Sequence, residues 1–268
     1  MKTYKKDSLG DRMKRYESVS KTSLVSRMPV ILRLDGCHFH SFCRGFAKPF
    51  DELLIRTMQD TMLYLCQHIQ GCVFGYTQSD EITLVLVDYK KINTSAWFDN
   101  EVQKMCSVAA SMASFIFNKR FKENFTEWHN FAINSYDVTQ YEKAKELEPT
   151  YLNAIEYGAY FDCRAFNVPK EDLINCILWR IKDCVRNSIQ SLGQHYFSHN
   201  QLKNKNCTEI KTMVFKETNL DWENLPENCK YGFFCFKTDG KWQIITSVDD
   251  VSSFNSLESF LQSYCNFF

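Results

Sequence analysis

Asp35 closes a short apolar run, Pro29-Val30-Ile31-Leu32-Arg33-Leu34, and is followed at once by Gly36; further along the chain Asp80-Glu81 stands at the crest of a second apolar pair. Two carboxylates brought together repel one another and raise one pKa unless a cation sits between them. Hard oxygen donors with open positions for water and phosphate suit Mg2+ rather than zinc. Two such ions, roughly 3.5 to 4 Å apart, would activate an attacking hydroxyl and stabilise a leaving oxygen in phosphoryl transfer. Gly36 fits, because a residue without a side chain lets backbone or triphosphate come close. A strand-end turn explains Asp35-Gly36 equally well in isolation. The second pair of acids on a neighbouring hairpin tips the balance to a metal site.

Phosphate-binding candidates flank the acids. His40 lies in Cys37-His38-Phe39-His40, and Lys48 in Phe46-Ala47-Lys48-Pro49. A cation or histidine there could hold a triphosphate beside Asp35. Set against this, Lys48 reads as a surface lysine, His38 and His40 as packed or solvated histidines, Phe39 as core and Cys37 as space-filling. Lys104, on a helix, reads as a solvated face as readily as a nucleotide contact. The Walker, dinucleotide and nucleophile-elbow glycine signatures are all missing from the sequence.

The elements that must position these residues follow from periodicity. Asp7 or Ser8 caps a helix expected to reach Glu17. Val30 to Leu34 reads as a buried strand. Leu54, Met58, Met62, Leu65 and Ile69 define an amphipathic helix from Asp51 that Gly71 stops. Two strands, Cys72 to Tyr76 and Ile82 to Val87, are expected to join through Thr77 to Glu81 as a hairpin. A helix from about Trp97 to Phe121 follows, whose small residues around Ala109 and Ala113 permit close approach to a sheet. Residues 124–149 carry few signals and read as loop with a short strand near 131–133. Gly158 to Phe166 alternates as a strand, Pro169 opens a helix through Leu192 that Gly193 closes, and Thr238-Asp239-Gly240 turns a final hairpin.

The fold class is therefore α+β: a ferredoxin-type βαββαβ core with an antiparallel sheet covered on one face by two helices, as in a polymerase palm, plus a helical and hairpin C-terminal elaboration. In that topology the first strand and the hairpin lie close, so Asp35 and Asp80 converge. Residues 1–135 form the N-terminal arm and catalytic core, and 136–268 continue the same globular unit.

Lysine plus arginine equals aspartate plus glutamate over the 268 residues, so bulk charge makes no case for a polyanionic partner. Met1 to Arg27 nevertheless carries eight basic residues against three acidic ones. Such an arm can touch phosphates, or be an ordinary solvated helix face. Twelve cysteines without a Cys-x-x-Cys spacing read as reduced, mostly buried thiols, which argues against both a disulfide framework and a zinc site. No apolar stretch has the length of a membrane helix, and no secretory signal is evident. A cytoplasmic chain is expected, with a mitochondrial destination left open by the basic arm.

Arg33-Leu34-Asp35-Gly36-Cys37-His38-Phe39-His40-Ser41-Phe42, Phe46-Ala47-Lys48-Pro49 and Gly75-Tyr76-Thr77-Gln78-Ser79-Asp80-Glu81, in this order, resemble the tRNA-His guanylyltransferase superfamily. The likeness continues through Trp97-Phe98 to Phe161-Asp162-Cys163-Arg164-Ala165-Phe166 and Trp179-Arg180. It implies a palm that adds nucleotides in the 3′-to-5′ direction to the 5′ end of a tRNA, using ATP and GTP or other NTPs, two Mg2+ ions and a homotetrameric assembly. By the same resemblance Asp35 and Asp80 are side-chain metal ligands, Gly36 lends its carbonyl, and Ser79 and Glu81 belong to the site. His40, Lys48 and Lys104 match positions tied to the triphosphate or to activation of the RNA 5′ end. Enzymes that add a non-templated G carry His-Ile-Asn-Asn-Leu-Tyr-Asn, whereas this chain has Asp183-Cys184-Val185-Arg186-Asn187-Ser188-Ile189. That version is similar to the guanylyltransferase-like branch, which rebuilds truncated tRNA 5′ ends on a template. Arg186, Asn187 and Ser188 then become candidates for RNA or nucleotide contacts. Two alternatives stand beside this: tRNA-His guanylylation itself, and a non-catalytic RNA-binding module of the same strand order that stacks bases on sheet aromatics.

Overall fold

The structure is a computed structural model that describes residues 8–245 and 250–264. The elements, in chain order, are α1 (Leu9–Ser18), β1 (Val30–Cys37), α2 (Phe39–Phe42), α3 (Glu52–His68), β2 (Cys72–Gln78), β3 (Glu81–Leu86), α4 (Val102–Ile133), α5 (Val138–Tyr157), β4 (Tyr160–Asn167), α6 (Leu173–Tyr196), α7 (His199–Leu202), α8 (Cys207–Thr218), α9 (Glu227–Tyr231), β5 (Phe233–Thr238), β6 (Lys241–Ile245) and α10 (Phe254–Tyr264). The strands form one antiparallel sheet in the order β4-β1-β3-β2-β5-β6. Its first four members are the βαββαβ core that the sequence predicts.

Alternation sorts the strand residues onto two apolar faces. Val30, Leu32, Leu34, Ile82, Leu84 and Leu86 face a core shared with α3, α4 and α5. Ile31, Phe74, Tyr76, Val85, Val87, Phe234 and Phe236 face a second core closed by α6 and α10. The plan expected from sequence has helices on one face; here both faces are covered, which is why these strands read as nearly continuous apolar runs. Asp51 caps α3 by accepting from the Leu54 N–H at 2.9 Å, and Met58, Met62 and Leu65 point inward from it.

Several boundaries differ from expectation. Residues 124–149 are not loop: α4 runs on to Ile133 because Phe125 and Ala132 extend its buried face, and α5 opens at Asp137, whose side chain accepts from the Thr139 and Gln140 N–H groups. Leu147, Tyr151 and Ala154 then pack inward, with Pro149 inside the helix. The expected strand at 131–133 is thus helical. The long α4 is broken at its start, where Trp97–Asn100 forms a 3-10 turn. Gly193 does not end α6, which reaches Tyr196; a β-carbon there would lie 2.6 Å from Ile210 Cγ2, so the glycine lets α8 pack closely. The N-terminal helix begins at Leu9 with Ser8 as its cap, and buries none of its residues. The part of the basic arm in residues 1–7, and Thr246 directly after β6, lie outside the described residues.

Candidate active site

β1 extends past Leu34 to Cys37 because it pairs with β4 as far as Cys37 opposite Tyr160. Asp35 therefore sits within the strand, opposite Glu81 on β3 and Asp162 on β4. Directly opposed residues share a face, so three acids line up across three strands on the α6 side. The β2–β3 hairpin is tighter than expected: Gln78 pairs with Glu81, leaving Ser79 and Asp80 as the turn. Ser79 adopts φ 49°, an uncommon value outside glycine, and its hydroxyl donates to Asp80 Oδ1 at 2.9 Å. The Gly36 N–H donates to the Asp80 carbonyl at 3.1 Å, which ties this turn to β1 beside Asp35. Burial raises the Asp80 carboxyl above its ordinary value, and the Asp35 charge raises it further against the pull of its own hydrogen bonds.

Gly36 is required by packing. A β-carbon there would lie 2.2 Å from Phe39 Cδ2, and Phe39 is wedged among Phe42, Phe117 and Phe161. Gly36→Ala is expected to cost about 1–3 kcal/mol through overpacking. Thermal unfolding checks this, and the variant's activity should fall along with its melting temperature, because the same displacement moves Asp35.

Glu81 turns toward α6. Arg180 grips it with two parallel bonds, Nε to Oε1 at 2.6 Å and Nη2 to Oε2 at 2.8 Å, and also donates to Asp183 Oδ2 at 2.8 Å. Burial pushes the Glu81 carboxyl up and Arg180 draws it back. Arg186 pairs with Asp183 from the exposed side. The Trp179 ring is in cation–π range of two guanidinium groups, 4.4 Å from Arg180 and 5.3 Å from Arg33.

A cavity of about 460 Å³ opens beside the turn, between the β1–α3 connection, the start of α3, α6 and α9. Its lining brings together His40, Lys48, Ser79, Asp80, Asn187 and Ser188 from the sequence-predicted set. Phe39 also reaches its wall but is buried in the aromatic cluster. Asp35, Gly36 and Glu81 do not line it, and neither do Cys37, His38, Lys104 and Arg186. His38 is exposed at φ 56°, leading into α2, and Cys37 lies near Asp162 and Asp35, which together with burial hold its thiol up. Lys104 rests over the Phe98 ring at 4.9 Å. Ser188 already accepts from Trp222 Nε1 at 2.9 Å and donates to the Val185 carbonyl.

Other lining residues escaped sequence reasoning. Arg44 lies between His40 and Lys48, and Asp51 beyond them accepts from the Ala47 N–H and the Tyr151 hydroxyl. Cys43 is held as a neutral thiol, pushed up to about 12 by burial and by the Asp80 and Asp51 charges. Arg180 had a legible signal, a charge set in the apolar stripe of Ile177, Ile181 and Cys184. Asn228 and Gln194 carry no comparable signal.

An antiparallel palm-like sheet whose β2–β3 turn presents Asp80 to a cavity of nucleotide size, with Asp35 on the adjoining strand, points to the nucleotidyltransferase class of protein. Comparison with known proteins agrees and narrows it. Residues 10–169 match the family model described as Thg1, tRNAHis guanylyltransferase, and the chain belongs to that family. It is 32% identical to uncharacterized protein R259 of Acanthamoeba polyphaga mimivirus over 92% of this chain and 85% of that one. It is 23% identical to tRNA(His) guanylyltransferase 2 of Arabidopsis thaliana over 78% of its length, but spans only 35% of that protein. Among solved structures, a bacterial tRNA(His) guanylyltransferase-like protein in complex with ATP superposes with TM-score 0.79 at 33% identity, covering 97% of this chain and 99% of that one. One in complex with GTP gives 0.73 at 31% identity, over 96% and 98%. No helix among the described residues is long and apolar enough to cross a membrane.

Proposed function

We propose that this chain is a template-dependent 3′-to-5′ nucleotidyltransferase that rebuilds the 5′ end of tRNA. The observation that carries the reading is the cavity itself, whose lining brings His40, Arg44 and Lys48 together with Asp80 and Ser79. That set offers cationic and neutral donors to a triphosphate, with the Asp80 carboxylate beside them. The likeness to bacterial guanylyltransferase-like proteins bound to ATP and to GTP supports it over almost the whole chain.

Asp35, Asp80 and the Gly36 carbonyl would hold Mg2+. The fit rests on the donors: two carboxylates whose proximity and burial hold one of them up, a cost that a cation between them reverses. Bound there, two ions would supply charge neutralisation at the attacking and leaving oxygens. The chain's own residues do the rest. Lys48, Arg44 and His40 orient the polyphosphate, Ser79 fixes the Asp80 carboxylate, and Arg180 locks the hairpin through Glu81. In the first step the tRNA 5′-phosphate attacks the α-phosphate of ATP and pyrophosphate leaves. In the second the 3′-hydroxyl of an incoming NTP attacks the activated 5′-phosphate and AMP leaves. A homotetramer completes the reading, and sedimentation of the purified chain tests it.

The acids carry a stability signature. The folded chain holds the Asp80 proton more tightly than the unfolded chain, whose carboxyl titrates near 3.8. Without metal, stability therefore falls as pH rises from about 3.8 through the raised value, and Asp80→Asn removes that contribution. Near neutral pH in EDTA, Asp80→Asn should melt a few degrees above wild type, while Mg2+ should raise the wild-type melting temperature and leave the variant's nearly unchanged.

An RNA-binding module without catalysis fares poorly, because Phe74, Tyr76, Phe234 and Phe236 lie buried beneath the second core rather than open for base stacking. Guanylylation of tRNA-His is the enzymatic competitor, as the names of the plant relatives suggest. The two part on GTP alone with a tRNA-His whose base opposite the added G cannot pair with it. We expect little addition there; efficient addition would favour guanylylation.

A further inference from the structure

Transfer between two substrates needs two ways in, and the cavity supplies one. It reaches Asp80 but not Asp35. Asp35 is partly exposed all the same, and the register of β1 and β4 shows what surrounds it. Directly opposed residues share a face, which puts Arg33 beside Arg164, Asp35 beside Asp162 and Cys37 beside Tyr160. The Arg33 guanidinium lies 5.3 Å from the Trp179 ring, so this is the face toward α6.

α6 does not close that face. Tyr160 is 62% exposed and Trp179 52%, and the Asp162 and Arg164 side chains are each about half exposed. An open shelf is the result. Asp35 and Asp162 occupy its middle, with the two arginines on one side and Tyr160 on the other, each roughly 6–7 Å along the strands.

The fold makes little use of these groups. Trp179 packs into none of the three apolar cores of the described residues. Tryptophan is on average well buried, so a ring left half open beside a reacting centre calls for a cover. The ring is also held: the Arg180 guanidinium 4.4 Å from it is itself fixed by Glu81. Arg164 pairs with Asp162 at 3.8 Å, and a long pair between half-exposed groups is worth little. Its guanidinium is therefore a ready donor for phosphate.

Aromatic rings for bases and guanidinium groups for the backbone are what a nucleic-acid strand requires. We propose that this face seats the 5′ end of the RNA, with Trp179 stacking its terminal base and Arg164 contacting a phosphate of the same strand. The assignment rests on the proposed function and gives the second substrate its own way in, on the side of Asp35 that the cavity does not reach.

The test measures affinity of the full chain, without NTP, for a labelled tRNA lacking its first nucleotide. It is repeated with the same tRNA made abasic at its 5′-terminal nucleotide, for wild type, Trp179→Ala, Trp179→Phe and Arg164→Gln. Trp179→Ala should weaken binding about tenfold, and the abasic end should weaken wild type to a similar degree. Combined, the two should lose little more than either one, because they remove the same contact. Trp179→Phe, which retains a ring, should recover most of the loss. Arg164→Gln should weaken both tRNAs alike and lower the slope of log Kd against log salt by about one. ATP affinity by calorimetry and melting temperature should stay close to wild type in all three variants.

Undiminished tRNA binding in Trp179→Ala overturns the proposal, and so does a loss that adds in full to that of the abasic end. An ATP affinity that falls in step with tRNA affinity overturns it too, since the ring would then serve the nucleotide or the fold. An unchanged salt slope in Arg164→Gln overturns the phosphate contact. If wild type binds no tRNA, this assignment and the proposed activity both fall. Binding that depends on Trp179 and the terminal base, without nucleotide addition, upholds the assignment and overturns the activity alone.

Discussion

Asp35→Ala and Asp80→Ala are each expected to lower kcat/KM for nucleotide addition by about 10³-fold or more, roughly 4 kcal/mol of transition-state stabilisation, without unfolding the protein. The two acids reach the site by different routes. Asp35 is carried by β1, whose neighbours β3 and β4 hold it in register, and Asp80 by a two-residue turn that Gly36 ties back to β1. Neither side chain contributes a buried apolar contact, so truncation leaves both cores intact. On the proposed mechanism both residues act on the same transition state, so the double variant should lose little more than either single one. Steady-state kinetics with a 5′-truncated tRNA checks the losses. A residual rate above about a tenth of wild type in either variant would show that the metal-binding acids lie elsewhere.

The second large effect falls on stability. Arg180 is buried, and it is the cation that allows Glu81 to stay charged between β3 and α6. Arg180→Ala leaves the carboxylate buried and unpaired, which typically costs about 3–5 kcal/mol. At about 2–4 °C per kcal/mol for a chain of this size, the melting temperature should fall by on the order of 10 °C. Removing both charges with an Arg180→Met, Glu81→Leu pair should recover most of that loss, since an apolar pair has no desolvation penalty. Activity should not recover with stability. Glu81 follows Asp80 directly, and Arg180 also holds Asp183 at 2.8 Å next to the cavity-lining turn of α6, so the pair positions the hairpin as well as supporting it. A double variant that is both stable and fully active would reduce the ion pair to a structural role.

The core topology was legible because strand and helix periods in residues 30–121 are clean and their order leaves few arrangements. Helix α5 was not, because its inward residues, Ala144, Leu147, Tyr151 and Ala154, are spread among charges and interrupted by Pro149. The extension of β1 to Cys37 was hidden for another reason. Asp35-Gly36-Cys37 lacks strand propensity, and pairing with β4, far along the chain, is what holds it extended. The acids and basic candidates could be picked out by type and spacing. Which of them share one cavity depends on where α6 and α9 dock, and that is set by long-range contacts such as Ser191 Oγ to the Pro49 carbonyl at 2.8 Å. The apolar stripe of α6 could be read in advance, but the partner of the charge within it could not, since Glu81 and Arg180 are neighbours only after folding.

The proposed function requires the cavity beside Asp80 to direct templated addition to a tRNA 5′ end. Its most direct test uses a tRNA lacking its first nucleotide, offered each of the four NTPs singly with ATP and Mg2+, and repeated with the opposing base of the acceptor stem changed to each alternative. Incorporation at the 5′ end of the nucleotide complementary to the opposing base is expected, with the choice switching as that base is switched. Incorporation of one fixed nucleotide whatever the opposing base, or addition at the 3′ end, would contradict it.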